Sequence, residues 1–264
     1  VSTERRRVLV TNDDGVEAPG LAALAAAMAG AGYQVVVAAP PDDRSGSSAA
    51  VGPAQSVEGM AAVAVEVTGF DGLPAYAVEG PPALAVMAAR LGAFGPGPDL
   101  VVSGINPGPN TGQAVLHSGT VGAALAAANF GLSGLAVSLD GSGTANLPTA
   151  AAVARAAAAW LARAPAGTVL NVNVPDRPLG QVAGVRAARL ARFGEVQAVV
   201  HRHEGGRVHL EIRSAEPEHD PESDSVLLAD GFVTVTAIVG VREDGAGDGP
   251  APAASIESAL PGTH

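Results

Sequence analysis

The chain has 264 residues, a formal net charge of −11, and 47% hydrophobic but only 3% aromatic residues. This length suits one large domain or two small ones, with a core packed from Ala, Val and Leu. The acidic balance excludes a general nucleic-acid binder; no cysteine means no thiol nucleophile, disulfide or thiolate-bound zinc; and with all 15 basic residues Arg there is no Walker-type or Schiff-base lysine.

A small phosphate ester stays open as a substrate, because a local metal ion overrides the global field. Arg5-Arg6-Arg7, the one basic cluster, reads as a solvated flank. Residues 8–11 read as a buried strand, 20–31 (GLAALAAAMAGA) as an Ala-rich helix closed by Gly32, and 33–40 (YQVVVAAP) as a second strand. A β-α-β unit of this size marks a parallel, doubly wound sheet. The alternation continues with a helix at 83–92, a strand at 99–106, a helix at 119–131, a strand at 134–139, a helix at 149–164 and a strand at 168–175. Strand and helix alternating throughout residues 1–175 predict an α/β layer sandwich.

Beyond Pro175 the texture turns to β-structure with turns. Gly205-Gly206, between alternating runs in QAVVHRHEGGRVHLEIRSA, signals a hairpin. Residues 242–255 read as a flexible linker and 255–260 as a short terminal helix. No apolar run reaches the ~18 residues of a membrane span. Asn12-Asp13-Asp14 interrupts what would be the apolar part of a signal sequence. The expectation is a soluble, cytoplasmic protein.

In open parallel sheets ligands bind beyond the carboxyl ends of the strands, so the residues just after each strand are the informative ones. After the first come Asn12-Asp13-Asp14-Gly15. Taken alone they suit a turn. If both carboxylates face the cleft, however, they repel unless a cation lies between them. No His or Cys stands beside them, so a hard ion such as Mg²⁺ or Mn²⁺ fits better than zinc. After the second strand comes PDDRSGSS (41–48), offering hydroxyls and open backbone. SGINPGPNTG (103–112) and HSGTVGAALAAA (117–128) follow. The second opens a helix on Ser118-Gly119-Thr120, where free N–H groups and the helix dipole favour an anion. Beside a cation, that turn reads as a phosphate cradle; alone, it reads as an N-cap.

VLVTNDDGVEAPGL, DDRSGSS, VVSGINPGPNTG and HSGTVGAA, in this order, resemble the SurE family, the survival-protein 5'/3'-nucleotidases. The resemblance continues through GLAVSLDG (134–141) and LNVNVPD (170–176) and, more weakly, GFVTVTAI (231–238). It implies a Rossmann-like three-layer fold forming a single domain over 1–264, with a core to about residue 185 and a hairpin and swapped tail over 186–264. It also implies a metal-dependent phosphomonoesterase acting on nucleoside monophosphates and, in some members, short polyphosphate. By the resemblance one divalent ion per subunit, Mg²⁺ or Mn²⁺, is held by Asp13, Asp14, Ser45 and Asn106. Asn110, Ser118, Gly119 and Thr120 then line the phosphate pocket. Assembly as a homodimer or homotetramer, through the hairpin near 196–213 and the tail after 242, is implied likewise. The chain departs from the family at EGPPALAV (79–86), at His117 where Tyr is usual, and at Ala126-Ala127 where Glu-Gly is usual.

On this reading the ion activates water and polarises the phosphoryl group, while the Ser118-Gly119-Thr120 turn and Asn110 stabilise the transition-state charge. Asp13 or Asp14 takes the water's proton or attacks directly. His117 is a candidate to protonate the leaving group, against the plainer reading of a surface residue. His201 and His203 would share a face of one hairpin strand, with His209 in the same hairpin; solvated strand positions are the plainer reading than a metal clip. The alternative function is a nucleotide- or phosphate-binding protein that keeps the metal site but has little turnover. No Gly-x-Ser-x-Gly elbow and no full Gly-x-Gly-x-x-Gly occurs, which argues against a serine hydrolase and a dinucleotide cofactor.

Overall fold

Val8-Leu9-Val10 and Val35 through Ala39 are apolar at consecutive positions, and all are buried, because both faces of their sheet are covered. The structure, a computed structural model, describes residues 5–52, 61–70, 72–192, 196–202, 208–214 and 220–241, with the two segments at 196–202 and 208–214 described by backbone alone. Its elements are β1 (Arg7–Thr11), α1 (Pro19–Gly30), β2 (Gln34–Ala39), β3 (Ala62–Ala64), β4 (Ala75–Val78), α2 (Pro82–Arg90), β5 (Leu100–Pro107), α3 (Gly119–Asn129), β6 (Ser133–Asp140), α4 (Leu147–Leu161), β7 (Val169–Pro175), β8 (Val185–Ala187), β9 (Val196–Arg202), β10 (Val208–Ser214), α5 (Asp224–Ala229) and β11 (Val233–Ile238).

Nine strands form one sheet in the order β3-β4-β2-β1-β5-β6-β7-β11-β8. The run from β4 to β7 is parallel. β3 and β11 run antiparallel to their neighbours β4 and β7. Leu21, Leu24 and Met28 of α1 and Ala150, Ala154 and Leu161 of α4 cover one face, against Val8, Val10 and Val102. Leu84 and Ala88 of α2 and Ala123 and Ala127 of α3 cover the other, against Leu9, Val36 and Val101. The fold is thus a three-layer, Rossmann-like α/β sandwich. Each buried Leu contributes about 1.5–3 kcal/mol. The small residues let the layers approach closely: a Cβ on Gly134 of β6 would run into the Ala124 carbonyl of α3.

The expected core elements are present with ends displaced by up to about three residues, the usual uncertainty of helix and strand ends. The strict alternation before residue 175 is corrected, because β3 and β4 lie between β2 and α2 with no helix between them. β3 has three exposed residues, too few to carry a period, and β4 only four. α5 is a further element that the pattern did not predict, and β11, well beyond residue 186, returns to the main sheet. β9 and β10 pair antiparallel as a separate ribbon, with Arg202 opposite Val208. The Gly205-Gly206 turn, the 242–255 linker and the 255–260 helix lie outside the described residues. Among those described, no helix is long and apolar enough to cross a membrane.

The chain leaves β1 for β2 on one side of the sheet, while β5 lies on the other side of β1. The loops after β1 and β5 therefore part, and the crevice between them is where such sheets bind ligands.

Candidate metal and phosphate site

Gly15 has φ +107°, and a Cβ there would lie 3.3 Å from the Pro41 carbonyl oxygen. Glycine lets the chain turn out of β1 while the 41–48 loop closes over it. Backbone bonds fix that closure: Val16 N–H donates to Pro40 at 2.8 Å and Arg44 N–H to the Asp13 carbonyl at 2.7 Å. The Asn12 side chain donates to the Gly15 carbonyl at 3.1 Å. Turn and site thus coincide in Asn12-Asp13-Asp14-Gly15.

Asp13 is 3% exposed. Its Oδ2 accepts from the Gly119 N–H at 3.1 Å, and its Oδ1 accepts a short hydrogen bond from the Thr120 hydroxyl. Thr120 Oγ1 also lies 3.3 Å from Asn106 Oδ1, so Asp13, Asn106 and the first turn of α3 meet at one hydroxyl. Asn106 is steadied by donating to the Gly108 carbonyl at 2.8 Å. A Cβ on Gly119 would lie 2.5 Å from Ser47 Oγ and 2.6 Å from Asp13 Oδ2. One on Gly122 would overlap the Ser48 carbonyl. The helix opens on glycines because two loops press against it. The Ser118 hydroxyl accepts from Val121 N–H at 3.1 Å as the N-cap. Of the trio read as a phosphate cradle, Ser118 caps the helix, while the Gly119 N–H and the Thr120 hydroxyl bind Asp13.

Asp14 is built differently. Its Oδ2 is buried with no hydrogen-bond partner. Burial first, then the nearby Asp13 and Asp43 carboxylates, push its carboxyl up to about 7, against the pull of its own N–H. With Gly20, Ile105, Asn106, Leu139 and Thr144 it lines a cleft of about 340 Å³. Ser45 is exposed, and both its hydroxyl and its N–H donate to Asp43 Oδ1, at 2.6 and 2.7 Å. Those two bonds, the hydroxyl first, hold the Asp43 carboxyl below the usual range. Ser48 anchors the same loop to the lead-in of α3, donating from its N–H to the His117 carbonyl at 3.2 Å and from its hydroxyl to Leu116 at 2.7 Å.

Asn110 joins the group through β6. Its Nδ2 donates to Ser138 Oγ at 2.8 Å, and Ser138 stands beside Asn106 in the β5–β6 register. A carboxamide nitrogen carries two hydrogens, so one remains for a ligand. His117 is exposed, and the bond it adds to the framework is made by its carbonyl. His201 and His209 are opposite one another in the β9–β10 register, while His203 lies outside the described residues. Among the described residues no group of three or more His, Cys, Asp or Glu could hold a metal ion. The oxygens brought together here are the two carboxylates and the neutral carboxamide oxygen of Asn106, all hard ligands, while the Ser45 hydroxyl is turned to Asp43. The unpartnered Asp14 Oδ2 and the raised Asp14 carboxyl are what a missing cation would leave, so the residues fit such an ion.

Sequence reasoning missed Asp43, Ser47, Asn171, Asn173 and Asp224. Asn171 and Asn173 gave a signal, since carboxamides inside an otherwise apolar strand must find partners. Asp224 gave none.

Residues 8–196 match the family model described as Survival protein SurE. The 5'-nucleotidase SurE of Alkalilimnicola ehrlichii is 40% identical over 236 residues, 88% of either chain. The 5'/3'-nucleotidase SurE of Edwardsiella ictaluri is 38% identical over 237 residues, 88% of this chain and 89% of its own. The crystal structure of the SurE protein from Aquifex aeolicus superposes with a TM-score of 0.73 at 28% identity, covering 88% of this chain and 93% of that one.

Proposed function

The chain belongs to the survival protein SurE family, and from that premise we propose that it is a metal-dependent phosphomonoesterase hydrolysing nucleoside 5'- and 3'-monophosphates to nucleoside and phosphate. Asp13, Asp14, Ser45 and Asn106 would hold the ion, one Mg²⁺ or Mn²⁺ per subunit. When bound, such an ion supplies Lewis acidity toward a phosphoryl oxygen.

The chain's own groups then divide the work. Both oxygens of Asp13 are engaged by α3, which fixes its orientation. Asp14 keeps Oδ2, which has no hydrogen-bond partner, for the ion, and the other edge of its carboxylate takes the proton of the attacking water. The free Nδ2 hydrogen of Asn110 and the Ser118 hydroxyl hydrogen stabilise the phosphate charge as the ester bond breaks, while Gly119 and Thr120 serve by holding Asp13. Ile105, Leu139 and Leu147 give the cleft an apolar wall for the nucleoside. Short polyphosphate is a secondary substrate. The reading includes a cytoplasmic homodimer or homotetramer assembled through the β9–β10 ribbon and the segment after 242.

The observation that carries the proposal is the meeting of Asp13 and Asn106 at Thr120 beside the unpartnered oxygen of Asp14. The rival reading, a binding protein with little turnover, draws on the departures at 79–86, His117 and 126–127. Leu84, Ala85 and Ala127 are buried in the α2–α3 layer, and Ala126 packs against it, so the changes at 79–86 and 126–127 are accommodated as apolar packing. The test is phosphate release from AMP and 3'-AMP with Mg²⁺ or Mn²⁺. We expect EDTA to abolish it; release that survives chelation would overturn the proposal, and nucleotide binding without release would support the rival.

A further inference from the structure

Asn110 is held from far away in the chain. Its N–H donates to Asn173 Oδ1 at 2.7 Å, and its carbonyl accepts from Asn171 Nδ2 at 2.8 Å and Asn173 Nδ2 at 3.0 Å. Asn171 and Asn173 are two apart on β7, so they share one face of the strand. Both are fully buried.

The next anchor comes from α5. The Gly112 N–H donates to Asp224 Oδ2 at 2.9 Å. Asp224 is fully buried, and it also accepts from the N–H groups of Ala191 and Ser225, each at 3.0 Å. Its own N–H donates to the Arg189 carbonyl at 2.8 Å, and Gln113 N–H donates to Ala191 at 3.1 Å. Burial pushes the Asp224 carboxyl up, and the N–H groups of Ala191, Gly112 and Ser225 oppose that. Only a carboxylate accepts on both oxygens; an amide of the same shape would turn an NH₂ toward one of these donors. One side chain thus ties the loop after β5 to both ends of the excursion that contains β9 and β10.

With residue 110 clamped by Asn173 and residue 112 by Asp224, the Asn110 carboxamide is left little freedom beside Ser138. We propose that Asp224 and Asn173 are positioning residues for phosphate binding, holding the 110–112 loop so that Asn110 meets the phosphate and making α5 and residues 189–191 part of the frame of the site. This rests on the reading of Asn110 as a phosphate ligand.

The test is a double-mutant cycle on inorganic phosphate affinity, measured with Mn²⁺ and without turnover. Asp224→Asn and Asn110→Ala are made singly and together, and Asn173→Ala replaces Asp224→Asn if the latter does not fold. Hydrogen exchange over 108–113 and Mn²⁺ affinity are followed in parallel. We expect Asp224→Asn to speed exchange at 108–113 and weaken phosphate binding by about tenfold, about 1.4 kcal/mol, with Mn²⁺ affinity within about twofold. In the Asn110→Ala background the same change should cost less than about twofold more, because the clamp acts through Asn110. Unchanged exchange, unchanged phosphate affinity, or additive effects would overturn the inference. A wild-type protein that binds phosphate but releases none from AMP would overturn the nucleotidase reading while leaving the clamp standing on the cycle.

Discussion

The loops after β1 and β5 flank one crevice but are built in opposite ways. The first leaves polar atoms wanting: Asn12 Oδ1 and Asp14 Oδ2, with Ser47 Oγ alongside, are buried without partners. The second is braced, its Asn106 and Asn110 bonded to Gly108, Ser138, Asn171 and Asn173, and the buried atoms left unpartnered there, Ser103 Oγ and Asn171 Oδ1, lie behind the loop in β5 and β7. An unpartnered buried polar atom costs about 1–3 kcal/mol, so the first loop is maintained against stability and the second by it. The difference teaches a division of labour: chemistry sits where the fold is least satisfied, on a neighbour that is rigid.

Substitutions should split along that line. The largest effect is expected at Gly119, where both loops touch α3. Gly119→Ala places a methyl on Asp13 Oδ2 and Ser47 Oγ; phosphate release from AMP should fall at least about 10³-fold and stability by about 1–3 kcal/mol, read by steady-state kinetics and urea unfolding. An unaffected enzyme would mean that the Gly119–Asp13 contact is unimportant.

Asp14→Asn comes next. It should lower turnover by about 10²–10³-fold yet stabilise the metal-free protein. The gain is about 1–3 kcal/mol at pH 7 after allowing for solvent screening. The sign follows from the raised carboxyl: folding favours its protonated form, so stability present below about pH 4 is lost as pH rises to about 7. Melting in EDTA across that range should fall for the wild type and be flatter for Asp14→Asn. A variant less stable than the wild type at pH 7 would contradict this.

In the braced loop the stability effect reverses. Asn173→Ala should cost about 1–3 kcal/mol on chemical unfolding and lower kcat/KM for AMP by about tenfold. The smallest effect is expected for His117→Ala, since that side chain is exposed: kcat/KM should stay within about twofold. A drop of tenfold or more that is larger at low than at high pH would make His117 the general acid after all.

The same contrast governs what the sequence reveals. The first loop is legible because its chemistry is local: Asn12, Asp13, Asp14 and Gly15 are contiguous and follow an apolar strand. The parallel core is legible for the same reason, as strand and helix periods repeat through α1, α3 and α4. The bracing of the second loop is not, because residue 110 meets 171 and 173, and residue 112 meets 224, only after the sheet closes. β3 and β4 are too short to carry a period. Ser118-Gly119-Thr120 was legible as a helix start, but nothing local said that its N–H and hydroxyl would face Asp13.

The most direct test of the account is calorimetric titration of Mn²⁺ into EDTA-treated, dialysed protein, wild type against Asp14→Asn. The account predicts one ion per wild-type chain and affinity reduced at least about 100-fold in the variant. Equal stoichiometry and affinity in the two proteins would contradict it.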